Sequence, residues 1–177
     1  MATILDIMKK RRSIRSHSSQ PIKKQDMERL VEAAAWAPSA GNSYPWNIVI
    51  VQQKQLLRKI QAVSPGMLGN PTALIILCND REKAQARVGS KGRELFCFMD
   101  IAHAAQNICL EATELGIGSC LIMSFNPDAV AELIDLPEPY TADYLISLGY
   151  SKGQQVSTKK RTVKETILSW IKEKNDE

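Results

Sequence analysis

The chain has 177 residues, 44% of them hydrophobic, which suits one globular domain with its own core. Its 23 Lys and Arg against 19 Asp and Glu leave a net charge of +4, and with only 6% aromatic residues this argues against a nucleic-acid binder. The longest apolar region, residues 95–115, carries Asp100, Gln106, Asn107, Glu111 and Glu114 and is too polar for a membrane span.

In chain order, Thr3 can cap a short helix with Asp6 three residues on, and Ile4, Ile7 and Met8 supply its apolar side. A second helix begins near Lys24, carries Met27, Leu30, Val31 and Ala34 at helical spacing, and ends towards Pro38. Residues 46–51 and 72–78 are rich in β-branched side chains and are expected as strands buried on two faces. A long helix over residues 93–115 places Phe98, Ile101, Ala102, Ala105, Ile108, Cys109, Ala112 and Leu115 on a wide stripe, with Gly116 as a left-handed cap. Residues 119–123 form a strand, 127–134 a helix and 144–150 a last strand. Thr162 and Glu165 then make a capping box for a helix bearing Val163, Ile167, Trp170 and Ile171.

The expected fold is a single α+β domain over residues 1–177 with a small mixed sheet. Its last helix follows a polar segment, residues 151–161, and exposing its apolar stripe would cost about 1.5–3 kcal/mol for each large side chain. Residues 151–177 are therefore expected to pack on a partner subunit, the alternative being a fold-back over their own sheet. Cys78, Cys97, Cys109 and Cys120 lack CxxC spacing and are expected to be structural thiols. With no leader-like start, the protein is expected to be cytoplasmic.

Three stretches carry chemistry. Arg11-Arg12-Ser13-Ile14-Arg15 gathers three guanidinium groups at the end of a short helix, and their planar forks suit phosphate oxygens, with the Ser13 hydroxyl as a further donor. Alone, such a run is more often a solvated basic turn. In the stretch from Ala37 to Trp46, Pro38 fixes its backbone, Ser39 and Asn42 offer small polar contacts, and Gly41 opens conformations closed to other residues. Lys159, Lys160 and Arg161 form a second cationic group before the capped helix.

RRSIR, APSAGN with PW, LGIGSC at the end of the long helix, a late strand ending in LGY, and KKR before a last helix occur in an order that resembles the nitroreductase family over nearly the whole chain. The resemblance implies an intertwined homodimer with a mostly antiparallel sheet flanked by helices, and flavin mononucleotide (FMN) at each subunit interface. It implies that Arg11, Arg12, Ser13 and Arg15 hold the ribityl phosphate and the polar edge of the flavin, and that Lys159 and Arg161 close on the phosphate. Pro38, Ser39 and Asn42 would come from the partner, and the backbone amides of Met123 and Ser124 would reach the flavin ring.

The implied reaction takes hydride from NADH or NADPH and then reduces a nitroaromatic, a quinone, a flavin or a similar small acceptor in a ping-pong cycle. The flavin supplies the redox chemistry and the protein supplies binding, orientation and electrostatics, so no catalytic side chain is assigned. Arg15 would stabilise negative charge at the flavin's pyrimidine edge or make a second phosphate contact. An FMN-binding or sensing module without turnover is the alternative. His103 is expected as a core histidine of the long helix. His17 and Tyr44 stand where the family usually has an aromatic residue and Gln.

Overall fold

The run ALIILCN has almost no polar side chain, and a strand of that kind is stable only when both faces are covered. In the computed structural model, which describes residues 3–153 and 160–169, this run forms β2 (Ala73–Asp80), buried from Ala73 to Asn79. Beside it lie β1 (Trp46–Val51) and β4 (Tyr140–Tyr150), and β3 (Ile117–Ile122) pairs with the far side of β4. The order is β1-β2-β4-β3, and each of these pairings is antiparallel. One parallel bridge, Ser13 to Ser119, adds the mixed element on β3.

Alternation along β2 divides the core in two. Ala73, Ile75 and Leu77 face Met27, Leu30 and Ala34 of α2 (Lys24–Ala35) and Ile101, Ala105 and Ile108 of α5 (Cys97–Glu114). Leu74, Ile76 and Cys78 face Leu57 and Ile60 of α3 (Lys54–Ala62) and Val130 of α6 (Pro127–Leu133). The result is an α+β fold of a mostly antiparallel sheet covered by helices on both faces. All four cysteines are buried, and burial pushes the Cys78 thiol up to about 12.

Several local expectations hold. Thr3 and Asp6 form a reciprocal capping box on α1 (Ile4–Lys10), Gly116 has φ 70°, and Thr162 and Glu165 cap α7 (Val163–Thr166). Asn126 accepts the Ala129 amide at 3.1 Å to open α6. The long helix begins with a π-helical turn over Gly92–Phe96.

Others change. β1 is an edge strand with Asn47 and Ile50 exposed, because it pairs on one side only. The sequence reading passed over α3 and α4 (Arg81–Val88): α3 buries only Leu57 and Ile60, and α4 only Ala84. His103 is exposed, because α5 turns Asp100, Ala104 and Ala105 inward and leaves Met99 and His103 on its outer side. α7 is four residues long with Val163, Ile167 and Leu168 exposed; Trp170 and Ile171 lie outside the described residues. Among the described residues, no helix is long and apolar enough to cross a membrane.

Candidate functional site

The basic run leaves α1 at Arg11, whose amide bonds the Ile7 carbonyl at 2.9 Å. Arg12 turns back, and its Nη1 donates to the carbonyls of Lys9 (2.5 Å) and Arg11 (2.8 Å), so this guanidinium satisfies open carbonyls at the end of α1. It also lines a cleft of about 410 Å³ with Lys9, Lys10, Ile14, Thr113 and Gly118. Beyond Arg12 the chain lies along the sheet. Ile14 N donates to Ser119 O at 2.9 Å, Ser18 N to Tyr150 O at 2.8 Å, and Lys152 N to Ser16 O at 3.0 Å. Ile14 and His17 are buried, while Ser13 and Arg15 are exposed.

Two glycines let this segment lie so close. A Cβ at Gly118 would stand 2.7 Å from Ile14 Cγ2, and one at Gly149 would stand 3.0 Å from the Cβ, Cγ and Nδ1 of His17. Gly118 of LGIGSC and Gly149 of LGY are thus the floor beneath Ile14 and His17. His17 Nδ1 lies 3.3 Å from Gly149 O, its Nε2 is buried without a partner, and burial lowers its pKa.

Met123 and Ser124 are exposed just past β3, and the Ser124 carbonyl accepts the Gly66 amide at 2.9 Å. Three residues on, Gly69 has φ 75°, and a Cβ there would run into the Arg15 carbonyl. The loop over residues 64–70 therefore links Arg15 to Ser124. Arg11, Ser13, Arg15, Met123 and Ser124 belong to segments that meet at one region of the molecule.

Pro38, Ser39 and Asn42 sit elsewhere. Ser39 Oγ accepts the amides of Ser43 (3.1 Å) and Tyr44 (2.8 Å), which uses both its lone pairs, and its O–H donates to Ser43 Oγ at 3.3 Å, whose own O–H donates to the Ala40 carbonyl. Asp100 accepts the Ala40 amide at 3.0 and 3.2 Å on its two oxygens. Pro38 and Ser39 line a hollow of about 290 Å³ with Phe96, Met99 and His103 at the start of α5, and Asn42 is exposed. Gly41, Asn42 and Tyr44 have φ of 59°, 53° and 43°, a conformation that costs a non-glycine residue on the order of 1 kcal/mol or more.

The loop thus meets α5 at Asp100, and the basic run borders it at Thr113. Thirteen residues of helix separate these by roughly 20 Å. Arg161 donates to the Glu165 carbonyl within its own capped turn, and Lys159 lies outside the described residues. Sequence reasoning missed Asp100, whose one signal was an acid inside an apolar stripe, and the α4 side chains Lys83 and Arg87, which gave none.

Within one chain, the cations of RRSIR and the backbone edge past β3 therefore share one region, and the small-residue loop occupies another. Residues 8–64 and 61–150 match the profile of the Nitroreductase family. A protein of Archaeoglobus fulgidus, provisionally named an NADH dehydrogenase/NAD(P)H nitroreductase, is 35% identical across 88% of this chain and 89% of its own length. The oxygen-insensitive NADPH nitroreductase of Helicobacter pylori strain 26695 is 25% identical across 82% of this chain and 85% of its own. Among solved structures, the FMN-dependent nitroreductase of Clostridium difficile R20291 aligns with a TM-score of 0.76 at 27% identity, covering 88% of this chain and 91% of its own. The chain belongs to the nitroreductase family.

Proposed function

We propose that this chain acts as a cytoplasmic homodimer with FMN at each subunit interface, taking hydride from NADH or NADPH and passing it to a small acceptor such as a nitroaromatic, a quinone or a free flavin. As a member of its family it is an FMN-dependent NAD(P)H oxidoreductase. The finer reading, a ping-pong exchange at an interface site with these acceptors, rests on one observation above the others. The loop Pro38–Asn42 and the cations of RRSIR meet opposite ends of α5, so one chain alone does not bring them to one ligand, whereas a two-fold partner does.

Exposed apolar side chains fit such a partner. Ile4, Leu5 and Met8 of α1, Leu95 of the π-helical turn and Met99 of α5 are large apolar side chains left exposed, as are Val163, Ile167 and Leu168 of the extension. The last three belong to residues 151–177, which in this reading embrace the second subunit.

The chain's own groups suit FMN. Arg11 and Arg15 have no carboxylate partner among the described residues, and Ser13 is exposed beside them, so phosphate can be met by cations and a hydroxyl together. Arg161 and Lys159 add charge from the extension. Arg12 serves as a helix-end donor, and its part at the phosphate is through its remaining guanidinium nitrogens. Pro38, Ser39 and Asn42 of the partner, with the Asn42 side chain exposed, cover the ring, and the backbone of Met123 and Ser124 borders it. Bound FMN supplies the hydride acceptor and donor. Arg15, fixed by the chain's course over Gly69, holds positive charge where reduction adds negative charge.

The test is an absorbance spectrum of the purified protein under nitrogen, before and after NADH and then NADPH. Flavin bands that bleach with either nucleotide are expected. Bands that persist would point to a flavin-binding module without turnover, and no bands after added FMN would overturn the reading.

A further inference from the structure

Helix α4 buries a single side chain, Ala84, so its contribution to the core does not account for its place in the fold. Its exposed cations reach one target. Lys83 Nζ donates to the Tyr44 carbonyl at 3.0 Å, and one turn later Arg87 Nε donates to the Gly41 carbonyl at 2.9 Å. Val88 continues the contact, because a Cβ on Gly41 would lie 2.7 Å from its Cγ1. The two carbonyls flank the residues whose positive φ the loop must keep, Gly41, Asn42 and Tyr44. Such conformations persist only where the surroundings over-determine them.

The anchor behind these cations is firm. Asp80 caps α4 through the Lys83 amide at 2.8 Å, and its own amide bonds the Pro45 carbonyl at 2.7 Å, which closes the far end of the loop. At the other end of α4, Gly92 packs so tightly on Ala84 and Val88 that a Cβ would collide with both. Gly92 opens the π-helical turn that runs into α5, and α5 carries Asp100, which holds the Ala40 amide. Donors from α4 and an acceptor from α5 thus grip the loop from two sides, while the side chain of Asn42 is left exposed.

We propose that Lys83 and Arg87 are positioning residues which, by fixing this loop, set how tightly the flavin bound by the opposite subunit is held. The inference rests on the interface reading given under Proposed function. Neither residue is placed at the flavin itself, so both act through the backbone of residues 40–44.

The test uses the full-length apo dimer carrying Lys83→Met and Arg87→Met, which keep the aliphatic stems and remove the donors. FMN affinity is read by quenching of flavin fluorescence, alongside the thermal midpoint of the apo protein. A Kd raised tenfold or more, a midpoint within a few degrees of wild type, and substantial recovery in Lys83→Met with Arg87→Lys are expected. A Kd within twofold of wild type would overturn the clamp. Should the double variant lose its fold, Lys83→Met alone provides the same comparison on an exposed side chain.

Co-expression of the double-variant chain with a chain carrying Arg11→Ala reads the direction of the effect. If the clamp acts across the interface, the mixed dimer regains one site of wild-type affinity, made from the intact phosphate residues of one chain and the intact loop of the other. No tight site in the mixed dimer would overturn action in trans. A wild-type dimer that takes up no FMN would remove the functional reading and the clamp together, whereas wild-type uptake with an unaffected double variant removes the clamp alone.

Discussion

The Asp100 carboxylate, buried on α5, accepts the Ala40 amide on both oxygens, at 3.0 and 3.2 Å, across sixty residues of sequence. This bond ties a loop of unusual backbone angles to the central helix. Replacing Asp100 with Ala leaves the Ala40 N–H without its partner, which costs on the order of 1–3 kcal/mol. Asp100→Asn keeps one acceptor oxygen and is expected to lose less. Urea unfolding of both variants checks the order, and an Ala variant within 0.5 kcal/mol of wild type would show that water replaces the carboxylate without loss.

A second carboxylate has a different task. The β2–β4 register shifts between Leu77 and Cys78, so Asp143 is the extra residue of a bulge. Its oxygens accept Arg81 Nη2 (2.8 Å), Asn79 Nδ2 (3.0 Å) and Thr141 Oγ1 (2.8 Å), and the Arg81 guanidinium lies 4.8 Å over the Phe98 ring. The Asp143 side chain is 8% exposed and that of Arg81 35%. Asp143→Ala strands three donors at once and is expected to cost about 2–3 kcal/mol. By contrast, Glu28→Gln removes the exposed Lys24–Glu28 pair on α2 and is expected to change stability by less than about 0.5 kcal/mol. Equal losses in the two variants would contradict the role of burial.

Much of this was legible where the cause is local. Capping boxes at Thr3 and Thr162 need residues three apart, β2 and α5 show their burial in their own composition, and Gly116 ends a helix as its missing side chain allows. RRSIR stood out because three guanidinium groups need an anion or water. What escaped depends on partners far along the chain. Nothing near Asp100 names Ala40, nothing near Lys83 names Tyr44, and the edge position of β1 follows from a strand order that no single strand encodes. His103 was assigned to the core from its apolar neighbours, yet one residue's rotation on α5 turns it outward.

The phosphate reading makes a direct demand on Arg11 and Arg161. With both changed to Ala, two charge-assisted contacts are lost, each worth about 1.5–3 kcal/mol, so FMN affinity is expected to fall by at least a hundredfold. Both guanidinium groups lie outside the two buried core clusters, so the thermal midpoint of the apo protein is expected to move little. Titration of apo protein with FMN decides the matter. Unchanged affinity would mean that the phosphate lies elsewhere even though the family is right.

His17 makes the stability of the fold depend on pH. Its ring is buried on Gly149 beneath the segment that carries Ser13 and Arg15, and burial lowers its pKa from the ordinary 6.5. The folded chain therefore holds the neutral ring, while the unfolded chain takes up a proton once pH falls below about 6.5. Stability is fully present above that value, declines as pH drops through the window between 6.5 and the lowered folded value, and levels off below it. The decline expected between pH 7 and 5.5 is that of His17, whose ring is held neutral by burial. A His17→Phe variant keeps an aromatic ring on Gly149 and removes the proton, so its unfolding midpoint in urea should be flatter over that range. A wild-type midpoint that stays constant from pH 7 to 5.5 would show that the ring is protonated in place without disturbing the segment, and a variant that declines as steeply would show that another group carries the pH dependence.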